Sequence, residues 1–197
     1  MNWWLAFIKE YVPRPIPTSL HDLDLVVSYS DGEGAWAGIG AAMWAPWLAK
    51  PLAVYTEVPE MVRRFWLNGI GEDGTFRDIF FVEALGPLIL LMAFPKHLRN
   101  VLWIHFIDNE AAESSLIRGS SSVAHGDYIA GITWATIQRR GLWAYFDRVE
   151  SKANPTDGIS GRDFDGPWDQ VHTVEFPLGL LKKFWTKNGV PLAEPLP

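Results

Sequence analysis

The chain of 197 residues carries a formal net charge of −6, is 48% hydrophobic and 20% charged, and has no cysteine. That length suits one well-buried domain with some elaboration, and two domains would be cramped. Without cysteine there is no disulfide, thiolate zinc site or cysteine nucleophile, so any metal must be held by oxygen or imidazole; the negative balance rules out coating nucleic acid by charge alone, but not a nuclease whose acids gather cations.

The N-terminal MNWWLAFI has no basic lead and no small-residue cleavage site, so it does not read as a signal peptide, and an intracellular protein is expected. Paired strands are expected at Leu23–Asp31 (LDLVVSYSD) and Ala35–Trp44 (AWAGIGAAMW), joined by a glycine turn, with PLAVYTEV completing a meander. The polar, glycine-rich EMVRRFWLNGIGEDGTFRD that follows suits an exposed insertion. IFFVEALGPLILLMAF reads as a buried helix, with Pro87 tolerable only near its first turns; its apolar core, Ala84–Phe94, is too short to span a bilayer. NVLWIHFI is too continuously apolar for a surface strand and belongs in the middle of a sheet covered by helices. Helices are expected at Asn109–Gly119 and Asp127–Arg140, then a last strand in LWAYFDRV and a final helix opened by Asp157. The proline-rich tail after Gly166 reads as an extension. No internal repeat is visible, and the order of elements makes a mixed α/β layered sheet.

Four acids fall at element ends in this sketch: Asp31 and Asp108 close strands, Glu83 sits early in the apolar helix, and Asp157 opens the final helix. Three have local explanations. Asp31 suits an Asp-Gly turn, Asp108 with Asn109 suits a helix N-cap, and Asp157 fits a capping box begun by Asn154 and Pro155. Glu83 is different, because FFVEALGPLILL surrounds it with apolar neighbours and an unpaired buried carboxylate is costly. A positive partner is expected there.

SDGEGAWAGIGAAMW resembles the Asp-Gly hairpin that opens the ribonuclease H fold, VEAL resembles its helix glutamate, and FIDNEAA its second strand-end aspartate. RVESKANPTDGIS is similar to the Asn-Pro-x-Asp segment that closes the site in ribonuclease H domains of retroelement reverse transcriptases. The resemblance covers roughly Leu23 to Arg162, with the four motifs in the family's order. It implies a ribonuclease H-like mixed five-stranded sheet flanked by helices, with an N-terminal extension at 1–22, a catalytic domain at 23–165 and a C-terminal extension at 166–197. It also implies a quartet, Asp31, Glu83, Asp108 and Asp157, binding two magnesium or manganese ions. In that scheme Asp31 bridges both ions, Glu83 and Asp108 hold the ion on the leaving-group side, and Asp157 holds the one that activates water. The implied partner is nucleic acid, an RNA–DNA hybrid, without a membrane, and the chain is free-standing or a piece of a reverse transcriptase or larger polyprotein.

Two positions depart from the family pattern. Glu33 stands where many relatives have serine or alanine, and its glycine neighbours favour a solvated turn over an extra metal ligand. Gly161 interrupts the usual Ser-Arg after the last aspartate, which bears on Arg162 as a substrate contact. His125 is either a mobile histidine over the site or a solvated loop residue, and Arg118–Ser122 either a phosphate contact or a helix stop. Arg139, Arg140, Arg148 and Lys152 suit either a backbone track or a solvated helix end. Trp103 and Trp143 are expected in the core, while Trp3, Trp4 and Trp168 fall outside it. Three functions remain: a ribonuclease H acting on hybrids, a DNA nuclease of the same fold, or a non-catalytic binding module. For a 3′–5′ exonuclease, Asp31-Gly32-Glu33 offers an Asp-x-Glu pair, but Ala153 stands where a histidine or tyrosine is needed.

Overall fold

Apolar residues recurring at alternate positions lay down an antiparallel meander of β1 (Leu25–Gly32), β2 (Gly38–Trp44) and β3 (Leu52–Glu57), with Asp31 opposite Gly40 and Ala42 opposite Ala53. This is a computed structural model that describes residues 19, 23–60, 62–63 and 79–179. The expected N-terminal extension with Trp3 and Trp4, nearly all of the expected insertion, and the chain end beyond 179 lie outside the described residues.

Helix α1 (Ile79–Ala93) is buried along almost its whole length, as its unbroken apolar sequence requires. Pro87 lies in its third turn, deeper than expected, where it removes the helix bond that the Glu83 carbonyl would otherwise receive. Burial on nearly all sides holds the helix through this lost bond. Two glycines let it press on β1. A methyl group at Gly86 would overlap the Ser30 side chain, and one at Gly32 would stand 2.9 Å from Val82 and 3.0 Å from the Glu83 backbone nitrogen.

β4 (Leu102–Ile107) runs parallel to β1, and β5 (Trp143–Arg148) runs parallel to β4. Between them the chain crosses over through α2 (Glu110–Arg118) and α3 (Ala124–Arg139). α2 begins at an Asn109 cap whose side chain accepts the Ala112 N–H and ends at Gly119 in the left-handed region. The expected final helix is a single turn, α4 (Asp157–Ser160), after a short 3-10 turn at Ser151–Ala153.

The strand order is β5-β4-β1-β2-β3-β6, so the sheet has six strands where five were expected. The added β6 (Val171–Thr173) lies in the proline-rich tail and pairs parallel to β3. Three paired residues are too few to show a period-2 pattern, and the anchor is a single aromatic: Trp168, expected outside the core, is buried with Ala42, Ala53, Tyr55 and Ile159. Alternation along β2 and β3 separates this small cluster from the main core on the opposite face, where Phe81, Leu85, Leu88, Trp103, Ile107, Leu116 and Phe146 pack together. Among the described residues no helix is long and apolar enough to cross a membrane.

The contact of Gly86 with Ser30 generates an expectation. Gly86→Ala gains about 1 kcal/mol of helix propensity, but the methyl group has no room and overpacking costs about 1–3 kcal/mol. Thermal denaturation should show a lower Tm for Gly86→Ala, whereas a level or higher Tm would mean that α1 does not approach β1 this closely.

Candidate active site

The parallel register of β1 and β4 sets Ser30 beside Ile107. The next residues, Asp31 and Asp108, therefore emerge abreast at the C-terminal ends of two adjacent parallel strands, where open α/β sheets place their ligands. Asn109, not Asp108, caps α2, which leaves the Asp108 carboxylate free of that duty. From above β1, α1 brings in Glu83, whose carboxylate accepts a hydrogen bond from the Gly32 backbone N–H. One carboxylate oxygen from each of Asp31, Glu83 and Asp108 lies within 4.8 Å of the other two.

The electrostatics of this cluster are unfavourable when it is empty of cations. Asp31 is 6% exposed and Glu83 4%. Among the described residues no lysine, arginine or histidine pairs with any of the three acids, so the positive partner expected for Glu83 is replaced by two more carboxylates. Glu83 Oε2 is buried without a hydrogen-bond partner. Burial, reinforced by the charges of Asp31 and Asp108, pushes the Glu83 carboxyl up to about 10. Asp31 is raised to about 6, again chiefly by burial, with the Ser160 hydrogen bond opposing and the charges of Asp108 and Asp157 adding. A set of hard oxygen donors with one buried oxygen unsatisfied fits a divalent cation such as magnesium or manganese.

The residues around the cluster hold it in place. The Ser160 hydroxyl hydrogen-bonds Asp31 Oδ2 and also lies 2.8 Å from the Asp157 carbonyl. Asn154 ties the same segment to β1: its Nδ2 donates to the Ser30 carbonyl at 2.9 Å, and its Oδ1 accepts from the Thr156 N–H and hydroxyl. Beneath them His105, fully buried in β4, bridges Ser28 (2.7 Å) and Ser30 (3.0 Å), and Trp103 Nε1 donates to Ser28 at 2.7 Å. Burial lowers the imidazole to about 3, so it is neutral. Ser160 and His105 were not singled out in the sequence. The available signal for His105 was one histidine inside an otherwise apolar strand.

Neither a protein-family model nor a curated protein matches the sequence. Among solved structures, the crystal structure of RNase H1 from the halophilic archaeon Halobacterium salinarum NRC-1 matches with a TM-score of 0.51 and 12% identity, covering 71% of this chain and 96% of that one. The fold is ribonuclease H-like.

Within that fold, the remaining residues singled out in the sequence take definite places. Asp157 is exposed at the start of α4 and lies outside the three-carboxylate cluster, although its charge reaches Asp31. Glu33 is a turn residue, as its glycine neighbours favoured: its carboxylate accepts the N–H groups of Ala35 and Trp36. That use removes the second acid of an exonuclease-type pair. His125 packs edge-on to Phe81 (centroids 5.6 Å apart) and near Phe80. Arg118–Ser122 closes α2, and its Arg118, Ser121 and Ser122 line an open cleft of about 490 Å³ with Phe80 and Glu110. Arg140 donates to the Leu91 carbonyl, and Arg148 lies 3.8 Å from Glu110 in an exposed pair.

Raised carboxyl values have a defined consequence for metal-free stability. For Asp31 the folded value of about 6 exceeds the ordinary 3.8, so the native state holds a proton that the unfolded chain has released, and its contribution to stability falls as pH rises from about 4 to about 6. His105 acts in the opposite sense below about 6.5, so the comparison must be made variant against wild type. With chelator present, Asp31→Asn should match the wild-type Tm near pH 4 and exceed it increasingly up to about pH 6, with a plateau above. Glu83→Gln should gain over a wider range, up to about pH 10. A Tm difference independent of pH would mean that these carboxyls are not buried together.

Proposed function

We propose that this protein is a metal-dependent nuclease that hydrolyses the RNA strand of RNA–DNA hybrids. The observation that carries the reading is the convergence of Asp31, Glu83 and Asp108 at the strand ends with Glu83 Oε2 unsatisfied. The ribonuclease H-like fold, shared with a solved RNase H1, supports it at the level of the fold. An arrangement this costly without cations is explained if cations are its purpose.

In this reading Asp31, Glu83 and Asp108 hold magnesium or manganese, and Asp157, exposed at the rim and within electrostatic reach of Asp31, is the fourth ligand. Cations held there would supply activation of water and stabilisation of the leaving oxygen in phosphodiester hydrolysis, whose products would be a 5′-phosphate and a 3′-hydroxyl. The chain's part is positioning. Ser160 orients the Asp31 carboxylate, the Gly32 N–H orients Glu83, and Asn154 keeps the Asp157 turn against β1. Neutral His105 keeps the strand beneath free of competing charge.

The test is cleavage of labelled RNA–DNA hybrid, duplex DNA, duplex RNA and single strands with magnesium and with manganese. Hybrid cleavage should fall by orders of magnitude in Asp31→Asn and Asp108→Asn while their metal-free Tm stays level or rises. Cleavage of DNA alone, lost in the same variants, would replace the hybrid with a DNA substrate. No cleavage of any substrate would remove the nuclease reading. Because cations favour the charged carboxylates, millimolar magnesium or manganese should also raise the wild-type Tm more at pH 8 than at pH 5.

A further inference from the structure

Trp36, on the turn between β1 and β2, is 51% exposed, yet its backbone and its ring both have defined partners. The Glu33 carboxylate accepts its backbone N–H at 2.8 Å and that of Ala35 at 2.9 Å, while the Glu33 N–H donates to Gly38 O at 2.9 Å. The guanidinium of Arg162 lies 4.6 Å from the indole centroid. Arg162 is itself fixed, with Nη2 2.7 Å from Glu57 Oε1 and Nε 3.1 Å from the Tyr55 hydroxyl. Beyond Tyr55, the ring of Phe164, 43% exposed, meets it edge-on at 5.3 Å.

Two features separate this cluster from an ordinary exposed aromatic. Ala37, next to Trp36 in the chain, and Arg162, over its ring, are non-glycine residues with φ of 51° and 68°, in the left-handed region that costs conformational energy and concentrates at functional positions. The cluster is also close in sequence to the carboxylate site: Trp36 follows Asp31 by five residues, and Arg162 follows by two residues the Ser160 whose hydroxyl bonds Asp31. Glu57 neutralises the guanidinium, so what this surface offers is a rigid π-face rather than a cationic contact.

We infer that Trp36, backed by Arg162, is a stacking subsite for an unpaired base flanking the hybrid, on the nucleic-acid strand that runs into the carboxylate site. The inference rests on the nuclease reading for its ligand class and adds the residue that grips the strand. Stacking suits a preorganised indole because its ordering is completed on folding, so little entropy is lost on binding. It also explains how a chain of net charge −6 could hold a polyanion beside an acidic centre.

The experiment measures anisotropy of a labelled RNA–DNA hybrid with single-stranded overhangs, and of its single strands, over a salt series with calcium as the cation, and then steady-state cleavage with magnesium. Trp36→Ala should weaken binding at least ~5-fold, with the loss falling on KM rather than kcat, an unchanged Tm, and an unchanged slope of affinity against salt. Trp36→Phe should restore most of the affinity. Equal binding and equal KM for wild type and Trp36→Ala would overturn the subsite while leaving the nuclease reading intact. A shallower salt slope in Trp36→Ala would also overturn it, since that marks a lost ionic contact. A wild type that binds through Trp36 but cuts nothing would keep the subsite and remove the nuclease. A wild type that binds no nucleic acid would overturn both.

Discussion

Three carboxyl groups held within 4.8 Å, two of them nearly out of water, oppose one another's ionisation through a medium that screens poorly. No single contact compensates for this. The position of each acid is imposed by a different element: Asp31 by β1, Asp108 by the parallel register of β4, and Glu83 by a helix that Gly32 and Gly86 allow onto the strand. Relaxation would require separating two central strands or lifting α1 from the core, and the apolar burial around Phe81, Leu85, Leu88 and Trp103 opposes both. The core on one face of the sheet thus maintains charge crowding at its end.

The polar residues beneath the site serve the same constraint. Ser28, Ser30, His105 and Trp103 are buried in what would otherwise be an aliphatic layer, and each finds a partner within the network. Trp103 Nε1–H donates to Ser28, and neutral His105 donates from one ring nitrogen and accepts at the other, with Ser28 at Nδ1 and Ser30 at Nε2, which satisfies every ring nitrogen. A satisfied network of this kind fixes the pairing of β1 with β4 by direction as well as by volume, and it is this pairing that sets Asp31 beside Asp108.

The rim divides into two kinds of surface. Asp157 and the single turn of α4 present charge to solvent next to the buried acids, held through Ser160 and Asn154. Across the β1–β2 turn, Trp36, Arg162, Tyr55 and Glu57 form a second, closed set in which the cation is already paired. Arg162, which follows the inserted Gly161, belongs to this set. With Arg162 at φ 68°, its side chain is committed to Glu57, Tyr55 and Trp36.

The order of strands and helices, the carboxylates at element ends and the anomaly of Glu83 in an apolar run were all legible from residue pattern, because each depends on local periodicity or on the cost of burying charge. Glu33 as a turn residue was legible for the same reason, since the glycines beside it are neighbours in sequence. Other features depend on which segments meet, and local pattern is silent on that. β6 owes its place to three backbone pairs and one buried tryptophan. Pro87 is tolerated in the third turn of α1 because the helix is enclosed on nearly all sides. Ser160 reaches Asp31 across 129 residues of sequence, and His105 reaches Ser28 and Ser30 across more than seventy. Hydrogen bonds over such separations are created by sheet register and layer packing, and the residues that make them carry no mark of it in their own neighbourhoods.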